Sequence, residues 1–231
     1  MYEKRIKVPS RGFSTSQLFH ELQELSGEAA AVWHASGSDL REIGLMWIVV
    51  RYDIQLQRIL NPGETLMLQT WAQPVRHRMS QRNYLFYDEK DHCVLSGAGI
   101  WAVSDRASRT MVNPADYDLF FGTEVNGKEL PKPGQPYKVP FTGSFLYQVS
   151  EPDLDINCHM NNTRYFDMAE GNAIRTTDQL CLKQARVAYV NEARLGERLD
   201  VSFGMCDNIW SFSGDGPRGN CFQMSLEYFT D

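Results

Sequence analysis

Long apolar runs are missing from this sequence. No stretch approaches the roughly 18 consecutive apolar residues that a membrane-spanning helix requires. The first five residues are mostly charged or polar, and no apolar segment of the kind that defines a signal peptide follows them. We therefore expect a cytoplasmic protein without a membrane span.

Basic charge and paired cysteines are also scarce. Lys and Arg number 23 against 29 Asp and Glu, and this balance argues against a nucleic-acid-binding protein, whose surface carries a basic stripe. The five cysteines are widely spaced and include no Cys-x-x-Cys pair. This pattern gives no zinc signature and is typical of reduced thiols.

The length exceeds that of one average domain. A chain of 231 residues suits two units of roughly 100 residues each, or one large one, and its 12% of aromatic residues can build a sizeable core. Residues 122–140 are rich in Gly and Pro among Lys and Glu, which is typical of a partly extended linker. We predict an N-terminal domain at 1–121, this linker, and a C-terminal domain at 141–231.

The same order of elements occurs in both halves. In the first half a short strand precedes a long helix, for which Ser14 and Gln17 form a capping box and which we expect to end at Gly37. Apolar residues recur along it at helical spacing: Leu18, Leu22, Leu25, Ala29 and Val32. About four strands follow, and the first should bury one face: Ile48, Val50, Tyr52, Ile54 and Leu56.

The second half repeats this order with a strand up to Val149, a helix at about 162–176 and again about four strands. A duplicated unit with one helix on an antiparallel sheet predicts an α+β protein.

The halves differ in one dense group of reactive side chains in the second. Asp155, Asn157 and His159 are spaced by two, so an extended backbone would place them on one face. The corresponding stretch of the first half carries only capping residues, and we expect one site for the pair of units. A capped turn with a surface histidine is the alternative interpretation.

These segments resemble the acyl-acyl carrier protein (acyl-ACP) thioesterases in their bacterial form. The resemblance rests on Asp155-x-Asn157-x-His159-Met160-Asn161-Asn162-x-x-Tyr165 and on Tyr189-Val190-Asn191-Glu192-Ala193. Shorter matches occur in the first half: Gly44-Leu45-Met46-Trp47, Gly63-Glu64, Thr70-Trp71 and Trp101-Ala102-Val103. They keep the order of the family and extend over nearly the whole chain.

The resemblance implies a tandem, or double, hot-dog fold, in which each half wraps an antiparallel sheet around a long helix and the two sheets are continuous. It implies hydrolysis of the thioester between a fatty acyl chain and the phosphopantetheine arm of acyl carrier protein (ACP). The products are free fatty acid and ACP, which ends fatty acid synthesis. ACP is the expected partner, no metal or organic cofactor is implied, and the protein is expected as a monomer or a homodimer.

The resemblance assigns catalysis to four side chains: Asp155, Asn157, His159 and Glu192. His159 can take a proton from water because imidazole titrates near neutral pH, and Glu192 can orient it or act as the base. Asn157 can polarise the thioester carbonyl, while Asp155 can orient its neighbours or attack as a carboxylate nucleophile. Water attack and an acyl-enzyme intermediate therefore both stay open. Backbone N–H groups at the start of the following helix are an expected oxyanion site.

Thiol and metal mechanisms are not expected. Cys158 adjoins His159, but adjacent residues of an extended segment face opposite ways. Plant relatives carry a cysteine after the second glutamate, where this chain has Ala193, so a thiol there cannot be required. Asp155 and His159 lack a third close ligand for a metal.

Asn161 and Asn162 are predicted to bind substrate, with helix capping as the alternative. Trp47 and Trp71 are also predicted to bind substrate, because they could line an apolar slot; the alternative is that they belong to the core.

Because ACP is acidic, the densest basic group is a candidate docking surface; a solvated strand end is the alternative. This group contains Arg76, His77, Arg78 and Arg82. Two other functions remain open, an acyl-CoA thioesterase of the same fold and a non-catalytic acyl-carrier binding protein.

Overall fold

A computed structural model of the chain describes residues 1–119, 129–174 and 181–230. The chain forms two compact units, the first from Met1–Gly12 and Glu21–Pro133, the second from Phe13–His20 and Gly134–Asp231. Much of the predicted linker, residues 122–128, lies outside the described residues. The predicted boundaries at 121 and 141 therefore stay a prediction.

The first unit is built on an antiparallel sheet. Its main strands are β1 (Tyr2–Lys7), β2 (Leu45–Leu56), β3 (Thr65–Ala72), β4 (Met79–Tyr87) and β5 (Cys93–Asp105). They pair in the order β1-β3-β4-β5-β2, and the short β6 (Met111–Val112) adds to β5. Two helices accompany this part of the chain, α1 (Thr15–Ala31) and α2 (Gly37–Glu42).

Helix α1 begins where the sequence predicts. The Ser14 N–H donates to Gln17 Oε1 at 3.0 Å and the Gln17 N–H donates to Ser14 Oγ at 3.2 Å, which completes the capping box. Leu22 and Leu25 on its apolar stripe are fully buried. The stripe therefore faces the core, as its spacing predicts.

The predicted end of α1 is wrong. The helix stops at Ala31, Val32 is 59% exposed, and Gly37 starts α2. A second capping box explains the break, because the Ser36 N–H donates to Asp39 Oδ2 at 2.8 Å and the Asp39 N–H donates to Ser36 Oγ at 3.3 Å.

The predicted buried face of β2 is only partly right. Tyr52, Ile54 and Leu56 are buried, but Ile48 is only half-buried and Val49 is buried instead. The cause is an irregularity in the pairing with β5 between Val49 and Arg51. An extra residue in a strand reverses which side chains face the core on either side of it.

The second unit has the same plan. Its strands are β7 (Gly143–Gln148), β8 (Leu182–Tyr189), β9 (Arg198–Cys206), β10 (Ile209–Gly216) and β11 (Gly219–Tyr228). They pair antiparallel in the order β8-β11-β10-β9-β7. Each half thus carries helical residues and an antiparallel sheet, which confirms the α+β prediction.

The helix of the second unit is shorter than the predicted 162–176. Helix α3 (Arg164–Ala169) continues as a π-helical turn, Glu170–Ile174, and residues 175–176 lie outside the described part. Phe166 is fully buried, with its ring centroid 4.3 Å from that of Phe19. In the described ranges, no helix has the length and apolar character to cross a membrane.

Candidate active site

The segment with Asp155, Asn157 and His159 is a tight turn, so the predicted extended backbone is wrong. The Cys158 N–H donates to the Asp155 carbonyl at 3.1 Å, and the Asp155 N–H donates to the His159 carbonyl at 2.8 Å. Cys158 has a left-handed φ of 61° and an exposed side chain. The chain reverses here, so that His159 lies beside Asp155 at the start of the turn.

The Asp155 carboxylate organises the turn. Its Oδ1 accepts the backbone N–H of Asn157 at 2.8 Å and that of His159 at 3.2 Å. The Asn157 side-chain Nδ2 lies 3.4 Å from Asp155 Oδ2. These residues are therefore grouped as predicted, but the grouping comes from hydrogen bonds within a turn and not from strand alternation.

His159 and Glu192 meet directly. His159 Nε2 lies 3.0 Å from Glu192 Oε2, with the imidazole side chain 11% exposed and the carboxylate side chain 28% exposed. Backbone pairing aligns the two, because the Met160 N–H donates to the Ala193 carbonyl at 2.8 Å and His159 forms a β-bridge with Arg194. The two segments predicted to carry catalysis are thus joined at this pair.

Two arginines hold the Glu192 segment. Arg194 donates to Glu192 Oε2 at 3.2 Å, and Arg218 donates to the Glu192 carbonyl at 2.8 Å. Arg218 also makes two bonds to Glu197, at 2.6 and 2.8 Å, and these hold the pKa of the Glu197 carboxyl below its usual value. Neither arginine was predicted from the sequence. The Glu192-x-Arg194 spacing was readable, but nothing in the sequence links Arg218 to this segment.

Asp153 anchors the entry to the turn and was also missed. Its buried carboxylate accepts the Tyr147 hydroxyl at 2.7 Å and both the Ser150 N–H and hydroxyl at 2.8 Å. Burial acts to raise the pKa of Asp153, but the bonds from Ser150 and Tyr147 outweigh it and hold the pKa below its usual value. The Ser150-x-x-Asp153 capping-box pattern was the available signal.

Asn161 and Asn162 support the chain immediately after the turn. Asn161 Oδ1 accepts the Thr163 N–H at 2.9 Å and the Thr163 hydroxyl at 3.0 Å, and the Asn162 carbonyl accepts the Tyr189 hydroxyl at 2.8 Å. The Arg164 N–H donates to the Asn161 carbonyl at 2.9 Å. The Thr163 and Arg164 N–H groups are engaged by these bonds. An oxyanion role for the other N–H groups at the start of α3 stays a prediction, as does substrate binding by Asn161 and Asn162.

Trp47 and Trp71 lie in the first unit. The Trp47 indole donates to the Ala35 carbonyl at 2.8 Å and packs on the buried cluster around Ala35 and Leu40. Trp71 is 5% exposed and pairs with Asn83 across β3 and β4. Their role in substrate binding stays a prediction.

The predicted basic group is divided. Arg76, His77 and Arg78 are exposed, whereas Arg82 is 7% exposed. Arg82 is therefore not part of the exposed group, because it lies on β4 itself while the other three occupy the loop before that strand. Within the described ranges, no three His, Cys, Asp or Glu side chains gather as metal ligands would.

Comparison with known protein families identifies the chain. The model of the acyl-ACP thioesterase N-terminal domain matches residues 11–117, and that of the acyl-ACP thioesterase C-terminal domain matches residues 142–213. The chain belongs to the acyl-ACP thioesterase family. Acyl-ACP thioesterases are thioester hydrolases, and the second match contains all four predicted catalytic residues, Asp155, Asn157, His159 and Glu192.

Solved structures agree with the family. An acyl-ACP thioesterase from Bacteroides thetaiotaomicron is 18% identical, with 99% of this chain and 97% of that chain covered and a TM-score of 0.78. The 12:0-ACP thioesterase from Umbellularia californica is 14% identical, with 100% and 97% covered and a TM-score of 0.79. No curated protein sequence matches the chain. At these identities the structural likeness shows the fold, and it confirms the predicted double hot-dog of the acyl-ACP thioesterases.

The Tyr147–Asp153 bond gives a pH-dependent stability test. The pKa of Asp153 is lower in the folded state than in the unfolded state, where it is about 3.9. The hydrogen bonds to this carboxylate therefore stabilise the fold fully at a pH above 3.9, and the stabilisation is lost as the pH falls through the pKa of Asp153 in the folded state. Tyr147→Phe should lower the free energy of unfolding by about 1.5–3 kcal/mol at pH 7. The loss should shrink at pH 3, measured by urea unfolding.

The exposed Tyr117 provides the control. Tyr117→Phe should leave the urea midpoint unchanged at both pH values. An equal loss for Tyr147→Phe at pH 7 and pH 3 would show that the charged carboxylate is not what the hydroxyl stabilises.

Proposed function

We propose that this acyl-ACP thioesterase hydrolyses fatty acyl groups carried by ACP, with a water molecule as the nucleophile and His159, Glu192, Asp155 and Asn157 as the catalytic residues. The observation that carries the proposal is the 3.0 Å pair of His159 Nε2 and Glu192 Oε2. A shielded imidazole against a carboxylate is the arrangement that activates a water or a nucleophile in many hydrolases.

The pair supports a specific direction of proton transfer. In neutral imidazole one ring nitrogen donates and the other accepts. A carboxylate at Nε2 favours the tautomer with its proton on Nε2, so that Nδ1 is the acceptor for a proton from water. Glu192 then stabilises the imidazolium that forms, and Arg194 at 3.2 Å holds the carboxylate in place.

Asp155 fits an orienting role better than that of a covalent nucleophile. Its Oδ1 already accepts two backbone N–H groups, and hydrogen bonds to a carboxylate oxygen lower its nucleophilicity. Asp155 Oδ2 faces the Asn157 amide at 3.4 Å, which positions that amide to donate to the thioester carbonyl.

The proton that His159 takes from water is later given to the leaving thiolate. Water oxygen bonds to the carbonyl carbon while its proton passes to His159, and the carbonyl oxygen of the tetrahedral intermediate takes the negative charge beside Asn157. As the carbon–sulfur bond breaks, His159 protonates the departing thiolate of phosphopantetheine. The products are the fatty acid and the free thiol of ACP.

We expect the reaction with ACP to take place in the cytoplasm. Its substrate can be tested with a panel of acyl chain lengths, each presented to the purified protein on ACP and on CoA. We expect hydrolysis with a preference for the ACP-bound form. Comparable or faster hydrolysis of acyl-CoA would favour the acyl-CoA thioesterase, and hydrolysis of neither would leave a non-catalytic acyl-carrier binding protein.

Substitutions in the turn test the catalytic assignment. His159→Ala and Asp155→Ala should each reduce kcat by at least about 100-fold, the usual scale for loss of an acid–base group. Cys158→Ser should retain kcat, because this exposed thiol lies at the tip of the turn and serves no step. Circular dichroism of each variant would confirm folding. An active His159→Ala variant or an inactive, folded Cys158→Ser variant would contradict the mechanism.

The exposed basic group provides a test of ACP docking. Arg76→Glu together with Arg78→Glu should raise KM for acyl-ACP by roughly threefold to thirtyfold, since exposed ion pairs contribute up to about 1 kcal/mol each. KM for a small synthetic thioester should not change. The double variant Arg41→Glu and Lys90→Glu alters the same net charge at other exposed positions and should behave like the wild type. Equal effects on both substrates would argue against docking at Arg76 and Arg78.

A further inference from the structure

The turn between β10 and β11 contacts the segment that carries Glu192. Pro217 and Arg218 form its two-residue loop, since Gly216 and Gly219 are the last pair of the two strands. Gly219 has a left-handed φ of 95°, which glycine adopts without strain. The Arg218 side chain therefore starts from a tight turn whose backbone is fixed by strand pairing.

Main-chain pairing continues from this hairpin to the residues just before Glu192. The Cys221 carbonyl accepts the Val190 N–H at 2.8 Å and the Asn191 N–H at 3.3 Å. The Asn191 side-chain amide donates to the Asn220 carbonyl at 2.7 Å. Residues 190 and 191 are therefore attached to β11 by both main-chain and side-chain bonds.

Arg218 extends this attachment to Glu192 itself. One terminal nitrogen of its guanidinium donates to the Glu192 carbonyl and to Glu197 Oε2, each at 2.8 Å. The other terminal nitrogen donates to Glu197 Oε1 at 2.6 Å. Glu197 Oε2 also accepts the Arg194 N–H at 2.9 Å, which closes the loop from the other side. Arg218 thus connects Glu192 with the far end of the same loop at Glu197.

The position of the Glu192 main chain limits where its carboxylate can lie. The carboxylate reaches His159 Nε2 at 3.0 Å, and Arg194 donates to the same Oε2 at 3.2 Å. The Arg194 side chain is 47% exposed and that of Glu192 is 28% exposed. Ion pairs of such exposure contribute little free energy. A fixed main chain at Glu192 is therefore a second constraint on the contact with His159.

We propose that Arg218 is a positioning residue for thioester hydrolysis, which acts through the Glu192 main chain on the contact between Glu192 and His159. The inference rests on the proposed function, because it concerns the same reaction. In the mechanism given above, Arg218 transfers no proton. A displacement of about 1 Å between catalytic groups can reduce the rate by as much as 100-fold. Loss of Arg218 should therefore lower kcat without weakening substrate binding.

The test compares the kinetics of the wild type and Arg218→Ala, with the acyl carrier and chain length that the wild type hydrolyses fastest. Arg218→Ala should lower kcat at least about tenfold and change KM by less than about twofold. Thermal unfolding of both proteins confirms that the variant is folded. An unchanged kcat, or a loss confined to KM, would overturn the proposal.

Arg58→Ala is the matched control. Arg58 bonds both oxygens of Glu64, at 2.9 and 2.8 Å, and donates to the Ile59 carbonyl at 3.0 Å. The side chains of this pair are 34% and 15% exposed, against 40% and 16% for Arg218 and Glu197. Arg58 lies in the first unit, and its loss should change kcat by less than about twofold.

A double-mutant cycle tests whether Arg218 acts through Glu192. In a Glu192→Gln background, Arg218→Ala should lower kcat by less than about threefold, because substitutions that affect one interaction are not additive. The same tenfold loss in both backgrounds would show that Arg218 acts elsewhere. If Arg218→Ala does not fold, Arg218→Lys decides. The single nitrogen of lysine retains the charge but cannot replace two nitrogens on three acceptors, so kcat should still fall at least about threefold.

Hydrogen exchange provides a measurement without substrate. The Met160 N–H, which donates to the Ala193 carbonyl beside the catalytic pair, should exchange at least about tenfold faster in Arg218→Ala than in the wild type or in Arg58→Ala. Equal exchange in all three proteins would overturn the proposal. A wild type that hydrolyses neither acyl-ACP nor acyl-CoA would contradict the proposed function instead, and the exchange rates would then decide whether Arg218 fixes the Glu192 segment.

Discussion

The rest of this site depends on the backbone pairing between residues 159–160 and residues 193–194. The Met160 N–H donates to the Ala193 carbonyl, and this bond joins two segments that are far apart in the sequence. The pairing sets His159 opposite the Glu192 segment, and the 3.0 Å side-chain contact follows from it. The Asp155 bonds shape the first segment, and Arg218 holds the second through the Glu192 carbonyl and Glu197. The contact between His159 and Glu192 therefore depends on the backbone pairing beneath it.

Asp153 and Arg82 are both charged and buried, and removing each charge from water costs free energy. Asp153 is surrounded by donors from Tyr147 and Ser150, and these more than offset its loss of water. Burial lowers the pKa of Arg82, and the phenols of Tyr84 and Tyr52 offset this only in part. The arrangement around Asp153 is typical of a structural anchor.

Much of the fold was readable from local chemistry, and the errors have local causes. Leu22 and Leu25 lie in the core as their spacing predicts, because a helical stripe must be buried. The end of the same helix was placed too late, since Ser36 and Asp39 start a new helix that the pattern of apolar residues does not register. In β2, one irregular residue reversed the predicted alternation.

The grouping of side chains in the turn was predicted by residue type more successfully than by geometry. Asp155, Asn157 and His159 were grouped for the wrong reason, because the left-handed φ of Cys158 that closes the turn has no clear signal in a non-glycine residue. Contacts such as Arg218 with the Glu192 carbonyl depend on strand pairing between distant residues. Spacing along the chain carries no information about such pairs, so a single sequence could not supply them.

The turn has a consequence for how much this sequence can vary. His159 is positioned by main-chain bonds to Asp155 and by the bridge beside Met160, so the side chains at the tip take no part. Ile156 is 72% exposed and Cys158 points into solvent. Other residues can therefore replace Ile156 and Cys158. At position 158 the left-handed backbone conformation favours asparagine, aspartate or glycine. Substitutions at the tip are then compatible with an unchanged geometry of the His159–Glu192 pair.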